Sequence, residues 1–155
     1  MPGDRTVAAL EQILRESDDL ELQKKAIFAL SQSGGERASQ VLRDYALRED
    51  APLELRETAI FWIGQGGGEE AGGFLRELYG RTSDPKLREK VVFSLAQQGG
   101  PENARWLLDR ALDTNEPVQV RKAAIFWAGQ TGVSVDELSS LYDRVADREI
   151  KDQLI

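Results

Sequence analysis

The 155-residue chain contains no cysteine and no histidine. Without cysteine there can be no disulfide, thiolate nucleophile or thiolate metal site. Without histidine the chain lacks the commonest metal ligand and the usual acid–base catalyst near neutral pH. A catalytic site would need carboxylates with Lys or Tyr, and the acidic pairs Asp18-Asp19 and Glu69-Glu70 read instead as dipole compensation at helix N-termini. No enzyme activity, cofactor or metal is expected. No apolar run reaches the roughly 18–20 residues that cross a bilayer, and the N-terminus has no signal-peptide core, so the expectation is a cytoplasmic protein. Positive charge is also short: 20 Lys and Arg against 27 Asp and Glu give a net charge of −7. That balance argues against nucleic-acid and membrane partners. At 41% apolar residues, the chain has the material for a core.

What the chain does have is a repeat. Ala26-Ile27-Phe28-Ala29-Leu30-Ser31-Gln32 returns as Ala59-Ile60-Phe61-Trp62-Ile63-Gly64-Gln65. It returns again as Val91-Val92-Phe93-Ser94-Leu95-Ala96-Gln97 and as Ala124-Ile125-Phe126-Trp127-Ala128-Gly129-Gln130. The steps are 33, 32 and 33 residues, and such periods mark stacked supersecondary units.

Each copy reads as two helices, A and B. Helix A opens near Pro52, Pro85 or Pro117, because proline suits a first turn whose N–H has no helical partner. Asp84 and Glu116 precede two of these prolines and favour the positive helix end. Leu55, Ala59, Trp62 and Ile63, like Val120, Ala124, Trp127 and Ala128, fall on one helical face. Gly34-Gly35, Gly66-Gly67-Gly68 and Gly99-Gly100 stop helix A. Helix B follows with Ala38, Val41, Leu42 and Tyr45, then Ala71, Phe74, Leu75 and Leu78, then Ala104, Leu107, Leu108 and Ala111. In the last copy Ser134-Val135-Asp136-Glu137 reads as a capping box before Leu138, Leu141, Tyr142 and Val145. Residues 5–16 match a helix B without its A, and residues 147–155 the start of a helix A without its B.

Paired helices at this period, with proline and an acidic residue before helix A and Arg56, Arg88 or Arg121 soon after, resemble HEAT-like repeats. The first copy departs, with Gln23 in place of the arginine and no proline. The resemblance implies an all-α fold: a right-handed α-solenoid of stacked antiparallel helix pairs, about ten helices in one domain over 1–155. Its parts are an orphan helix B at 5–16, repeats near 20–49, 52–81, 85–113 and 117–146, and an orphan helix A at 147–155. It also implies a binding scaffold whose partners meet the concave helix B side.

The recurring Phe28, Phe61, Phe93 and Phe126 read as wedges between adjacent repeats, and Gln32, Gln65, Gln97 and Gln130 as amides that satisfy open helix ends. Trp62 and Trp127, alternating with Ala29 and Ser94, read as core. Trp106 is out of register and should face solvent on helix B, with Gln40 and Gly73 as its counterparts. A hollow at Gly73 beside a projecting indole suits docking. The expected function is therefore a noncatalytic scaffold binding protein or peptide through Trp106, Arg76, Arg110, Gly73, Asp109 and Arg43. The alternative is a structural spacer or end-to-end self-assembly, motivated by apolar ends at Ala9, Leu10 and Ile13 and at Ile150, Leu154 and Ile155.

Overall fold

A computed structural model describes residues 2–130 and 135–144, and its regular elements are all helices. In chain order they are α1 (Pro2–Glu16), α2 (Leu20–Ser33), α3 (Gly35–Leu47), α4 (Leu53–Gly66), α5 (Gly68–Arg81), α6 (Pro85–Gln98), α7 (Pro101–Leu112), α8 (Val118–Gln130) and α9 (Val135–Arg144). Helices α2, α4, α6 and α8 are the A members of the four pairs; α3, α5, α7 and α9 are the B members. Ser134, Val145 and the helix expected at 147–155 lie outside the described residues, as do the side chains of Val135, Leu138, Leu141 and Tyr142. Among the described residues no helix is long and apolar enough to cross a membrane.

The boundaries follow from local chemistry. Asp19 caps α2 by accepting from the amides of Glu21 at 3.0 Å and Leu22 at 3.2 Å. Asp84 does the same for α6 with Lys86 at 2.8 Å and Leu87 at 3.4 Å. Pro52 is the N-cap of α4, and Pro85 and Pro101 sit in the first turns of α6 and α7. The first three A-to-B turns are each two consecutive left-handed glycines: Gly34 and Gly35 at φ 67° and 80°, Gly67 and Gly68 at 71° and 90°, Gly99 and Gly100 at 74° and 93°. Two such residues in a row explain why the pairs are glycine, since a Cβ there costs about 1–2 kcal/mol per residue.

The chain divides into two compact units, Met1–Phe74 and Leu75–Ile155. In the first, α2 packs on α1, α3 and α4, and α3 packs on α4. Ile27, Leu30, Leu55 and Ile60 form its fully buried centre. In the second, α6 packs on α7 and α8, and α7 packs on α8 and α9, around Leu75, Leu78, Leu87, Val91, Val92, Leu95 and Leu107. Within the two units, α1 to α4 and α6 to α9 thus meet their pair partner or a member of a neighbouring pair, the packing of an α-solenoid.

One position explains the recurring arginine. Arg56 Nε donates to the Ala46 carbonyl at 2.9 Å, Arg88 Nε to Thr82 at 2.7 Å and Arg121 Nε to Ala111 at 2.8 Å. All three acceptors lie at the C-terminal end of the preceding helix B, where carbonyls lack helical partners. In the first copy Gln23 Nε2 reaches Leu14 O, at 3.4 Å. A side-chain N–H donor is what the site requires; a guanidinium adds charge that suits the negative helix end.

Phe28 and Phe93 do meet the tryptophan of the next repeat, Trp62 and Trp127, but these rings lie at the surface rather than in the core. Phe28 and Phe126 are 46% and 50% exposed, and Phe61, Phe93, Trp62 and Trp127 are half-buried. The inward stripe of helix A is already filled by Ile27 and Leu30, or by Ile60 and Ile63. The phenylalanine one residue on is rotated about 100° away and faces outward. The four column glutamines are exposed too, so none serves as a buried cap.

Candidate functional site

The second unit holds the densest polar–aromatic cluster. The last turn of α5 buries Tyr79, while α7 presents Trp106 and Arg110 one turn apart on the same face. The segment before α8 contributes Glu116, and α6 contributes Arg88. The Tyr79 hydroxyl donates to Glu116 Oε2 at 2.5 Å, and Arg88 Nη1 donates to the same oxygen at 3.0 Å. Arg110 Nη1 donates to Oε1 at 3.4 Å and lies 3.7 Å from Asp113. Burial, then the bond to Glu116, pushes the Tyr79 phenol well above its ordinary value. One buried carboxylate is shared between two guanidinium groups, so its charge is compensated where water cannot reach it.

Trp106 rests edge-on against Tyr79, with ring centroids 4.9 Å apart and planes at 90°, and the Arg110 guanidinium lies 5.6 Å from its ring. The indole is consequently half-buried rather than projecting, because the buried tyrosine gives it an apolar platform. Arg105 and Asp109 stand exposed on either side of it along α7.

The other expected site residues have separate settings. Arg76 Nη1 donates to Asn103 Oδ1 at 2.7 Å. Asn103 is buried and closes the start of α7, its amide reaching Leu95 O at 3.1 Å and Gly99 O at 2.9 Å. In the first unit, Gly73 is half-buried in α5, and a Cβ there would meet nothing within 4 Å. Arg43 lies 3.8 Å from Glu70 and 5.8 Å from the Phe74 ring. Arg43 and Glu70 also border a shallow pocket of about 190 Å³ whose apolar lining includes Leu30, Leu42, Trp62 and Ile63. Of the six expected residues, Trp106 and Arg110 are in contact; Arg76 and Asp109 share their unit, and Arg43 and Gly73 belong to the first.

Sequence reading missed Tyr79, Arg88, Asn103 and Glu116 as a working group. Glu116 looked like a helix-capping acid equivalent to Asp84. The extra methylene lets its carboxylate turn inward, whereas the shorter Asp84 stays at the amides of its own helix. A tyrosine directly before a glycine in helix B gave no signal that it would pair with an acid 37 residues later.

Each unit also carries an aromatic trio on its A helices. Trp62 receives Phe28 at 4.9 Å and Phe61 at 5.1 Å; Trp127 receives Phe93 at 5.0 Å and Phe126 at 4.9 Å, all edge-on. Among the described residues, no group of three or more Asp and Glu side chains is placed to hold a metal ion.

A family model described as HEAT repeats matches residues 45–128, more than half of the chain. No curated protein sequence matches it. With paired helices, glycine turns and an arginine fastening α4, α6 and α8 each to the helix B before it, the chain belongs to the HEAT-repeat family.

Proposed function

We propose that this chain is a noncatalytic scaffold that binds a protein or peptide on the helix B surface of its second unit, around Trp106. HEAT repeats commonly serve as protein-interaction scaffolds, which supports the class of function. The observation that carries the site is the setting of Trp106: a partly exposed indole fixed between a buried tyrosine and a guanidinium, with Arg105 and Asp109 open to solvent beside it. An anchor held in one orientation loses little side-chain entropy on binding, and Trp, Tyr and Arg dominate interface hot spots. Arg110 joins Trp106 in this surface, and Arg76 borders it. Gly73 and Arg43 belong to helix B members of the first unit and form a separate candidate there, beside Glu70 and Phe74.

The test is affinity capture with wild type beside Asp109→Arg and Arg105→Glu, both exposed changes that leave packing intact. A partner retained by wild type and lost by both variants supports the site. Equal capture by all three refutes it. Trp106→Ala is the stronger perturbation, but it also removes the ring packed on Tyr79.

A second reading is end-to-end association. Leu22 occupies the register of Leu55, Leu87 and Val120, which are 0% exposed, yet it is 44% exposed, with Leu20 exposed beside it. Sedimentation across a concentration range tests this reading. A Leu22→Gln variant that abolishes a concentration-dependent increase in mass supports it, and a strict monomer contradicts it.

A further inference from the structure

Two contacts join successive B helices at one register. In the first unit Arg43 on α3 lies 3.8 Å from Glu70 on α5. In the second, Arg76 on α5 donates to Asn103 on α7 at 2.7 Å. Each pair spans 27 residues, and the second lies 33 residues beyond the first. An arginine on one B helix thus meets an acceptor on the next, one rung to a repeat. A further step of 33 residues leads to Asp109 on α7 and Asp136 on α9, helices that pack on one another. There an acid stands in the arginine's place, and the rung holds two carboxylates and no cation.

Both acids are exposed, and neither side chain forms an ion pair or hydrogen bond among the described residues. Arg105, exposed and four residues before Asp109, is not paired with it either. Asp136 lies in the first turn of α9, where the helix dipole favours an acid. Asp109 has no such reason: it stands in the last turn of α7, against the negative helix end. A residue that works against its own helix and has no local partner points to a role outside folding. One turn before it on the same face is Trp106, its indole fixed edge-on against Tyr79.

We infer that the partner of the Trp106 surface is a polypeptide segment presenting a basic side chain, arginine above all, beside an apolar one. The inference rests on the helix B reading proposed above and names the chemistry of its partner. The basic side chain supplies the cation that the third rung lacks: its stem lies on the indole and its head bonds Asp109 and Asp136. A guanidinium suits two carboxylates better than an ammonium, because its planar fork directs N–H groups to both. The net charge of −7 steers a basic segment toward the chain and repels an acidic one. Arg105, on the other side of Trp106, has N–H groups to donate to the segment's backbone carbonyls.

The experiment titrates the full chain calorimetrically with a short blocked peptide in which Leu and Arg alternate. The same peptide with citrulline in place of Arg, which keeps the shape and removes the charge, and with Glu in place of Arg, are titrated in parallel. The Arg peptide should bind wild type, and the citrulline and Glu peptides should bind far more weakly. Asp109→Asn and Asp136→Asn should each weaken the Arg peptide about five-fold, the worth of one exposed ion pair at about 1 kcal/mol. Asp44→Asn, an exposed acid on α3, should change it less than about two-fold. Asp109→Arg, which restores the arginine of the earlier rungs, should abolish binding without lowering the urea midpoint. No binding of the Arg peptide, equal binding of the citrulline or Glu peptide, or equal loss with Asp44→Asn would each overturn the inference. So would unchanged affinity in both Asp109→Asn and Asp136→Asn, or a destabilised Asp109→Arg. The capture assay above uses the natural partner and reads the site whatever that partner's charge. Failure of the peptides with capture still lost in Asp109→Arg and Arg105→Glu therefore overturns the basic partner alone, and equal capture by wild type and both variants overturns the site.

Discussion

Replacing Glu116 with Ala should cost the second unit about 3 kcal/mol. The carboxylate is 6% exposed and accepts from Tyr79, Arg88 and Arg110. Removing one partner of a buried ion pair typically costs about 3–5 kcal/mol, because the remaining charge is left uncompensated. The lower end applies here, since the Arg88 and Arg110 side chains keep 21% and 28% exposure and can recover some hydration. At roughly 3 °C per kcal/mol for a chain of this length, Tm should fall by about 10 °C. Urea unfolding followed by tryptophan fluorescence is the assay, with circular dichroism as the second probe. Glu116→Ala combined with Tyr79→Phe should cost clearly less than the sum of the two single changes, since both remove the same hydrogen bond. A loss under about 1 kcal/mol, or strict additivity, would refute the claim that this cluster fastens α5, α6, α7 and the start of α8 together.

Three further outcomes follow from particular residues. Tyr79 is held protonated in the fold, so its stabilisation is fully present below about pH 10 and is lost as pH rises through the folded value; an alkaline unfolding curve should steepen there by up to about 1.4 kcal/mol per pH unit, partly relieved in Tyr79→Phe. Gly73→Ala should stabilise by about 0.5–1 kcal/mol, because the position is helical and open, whereas Gly67→Ala at φ 71° should destabilise by at least as much; urea midpoints separate the two. Ser94 Oγ is buried without a hydrogen-bond partner, so Ser94→Ala, the residue type Ala29 already has in that register, should raise stability by about 1 kcal/mol in the same measurement.

How much of this was legible in the sequence depends on the range of the interaction. The helix pairs, their proline starts and their glycine stops are local, and they were readable because a missing N–H or a left-handed turn restricts residue choice within a few positions. The repeat supplied the architecture by copying that local pattern. The recurring phenylalanines misled for the same reason: regular spacing signals a shared environment, and an outward column is as regular as an inward one. What distinguishes Phe28 from Ile27 is a rotation of about 100°, visible only once neighbouring helices show which side they cover. The arginine register was noticed without its purpose, since its acceptor is a backbone carbonyl and leaves no mark in the sequence. Trp106 was found because it broke the pattern, but the tyrosine under it and the glutamate behind that tyrosine pair across 37 residues, beyond any local signal.

The most direct test of the scaffold reading is carboxyl-labelling mass spectrometry on the chain alone and with its captured partner. The account predicts that Asp109 and Glu102 on α7 lose reactivity in the complex while Asp44 on α3 keeps it, and that the partner is released chemically unchanged. Full labelling of Asp109 and Glu102 in the complex, or a partner recovered covalently altered, would contradict it.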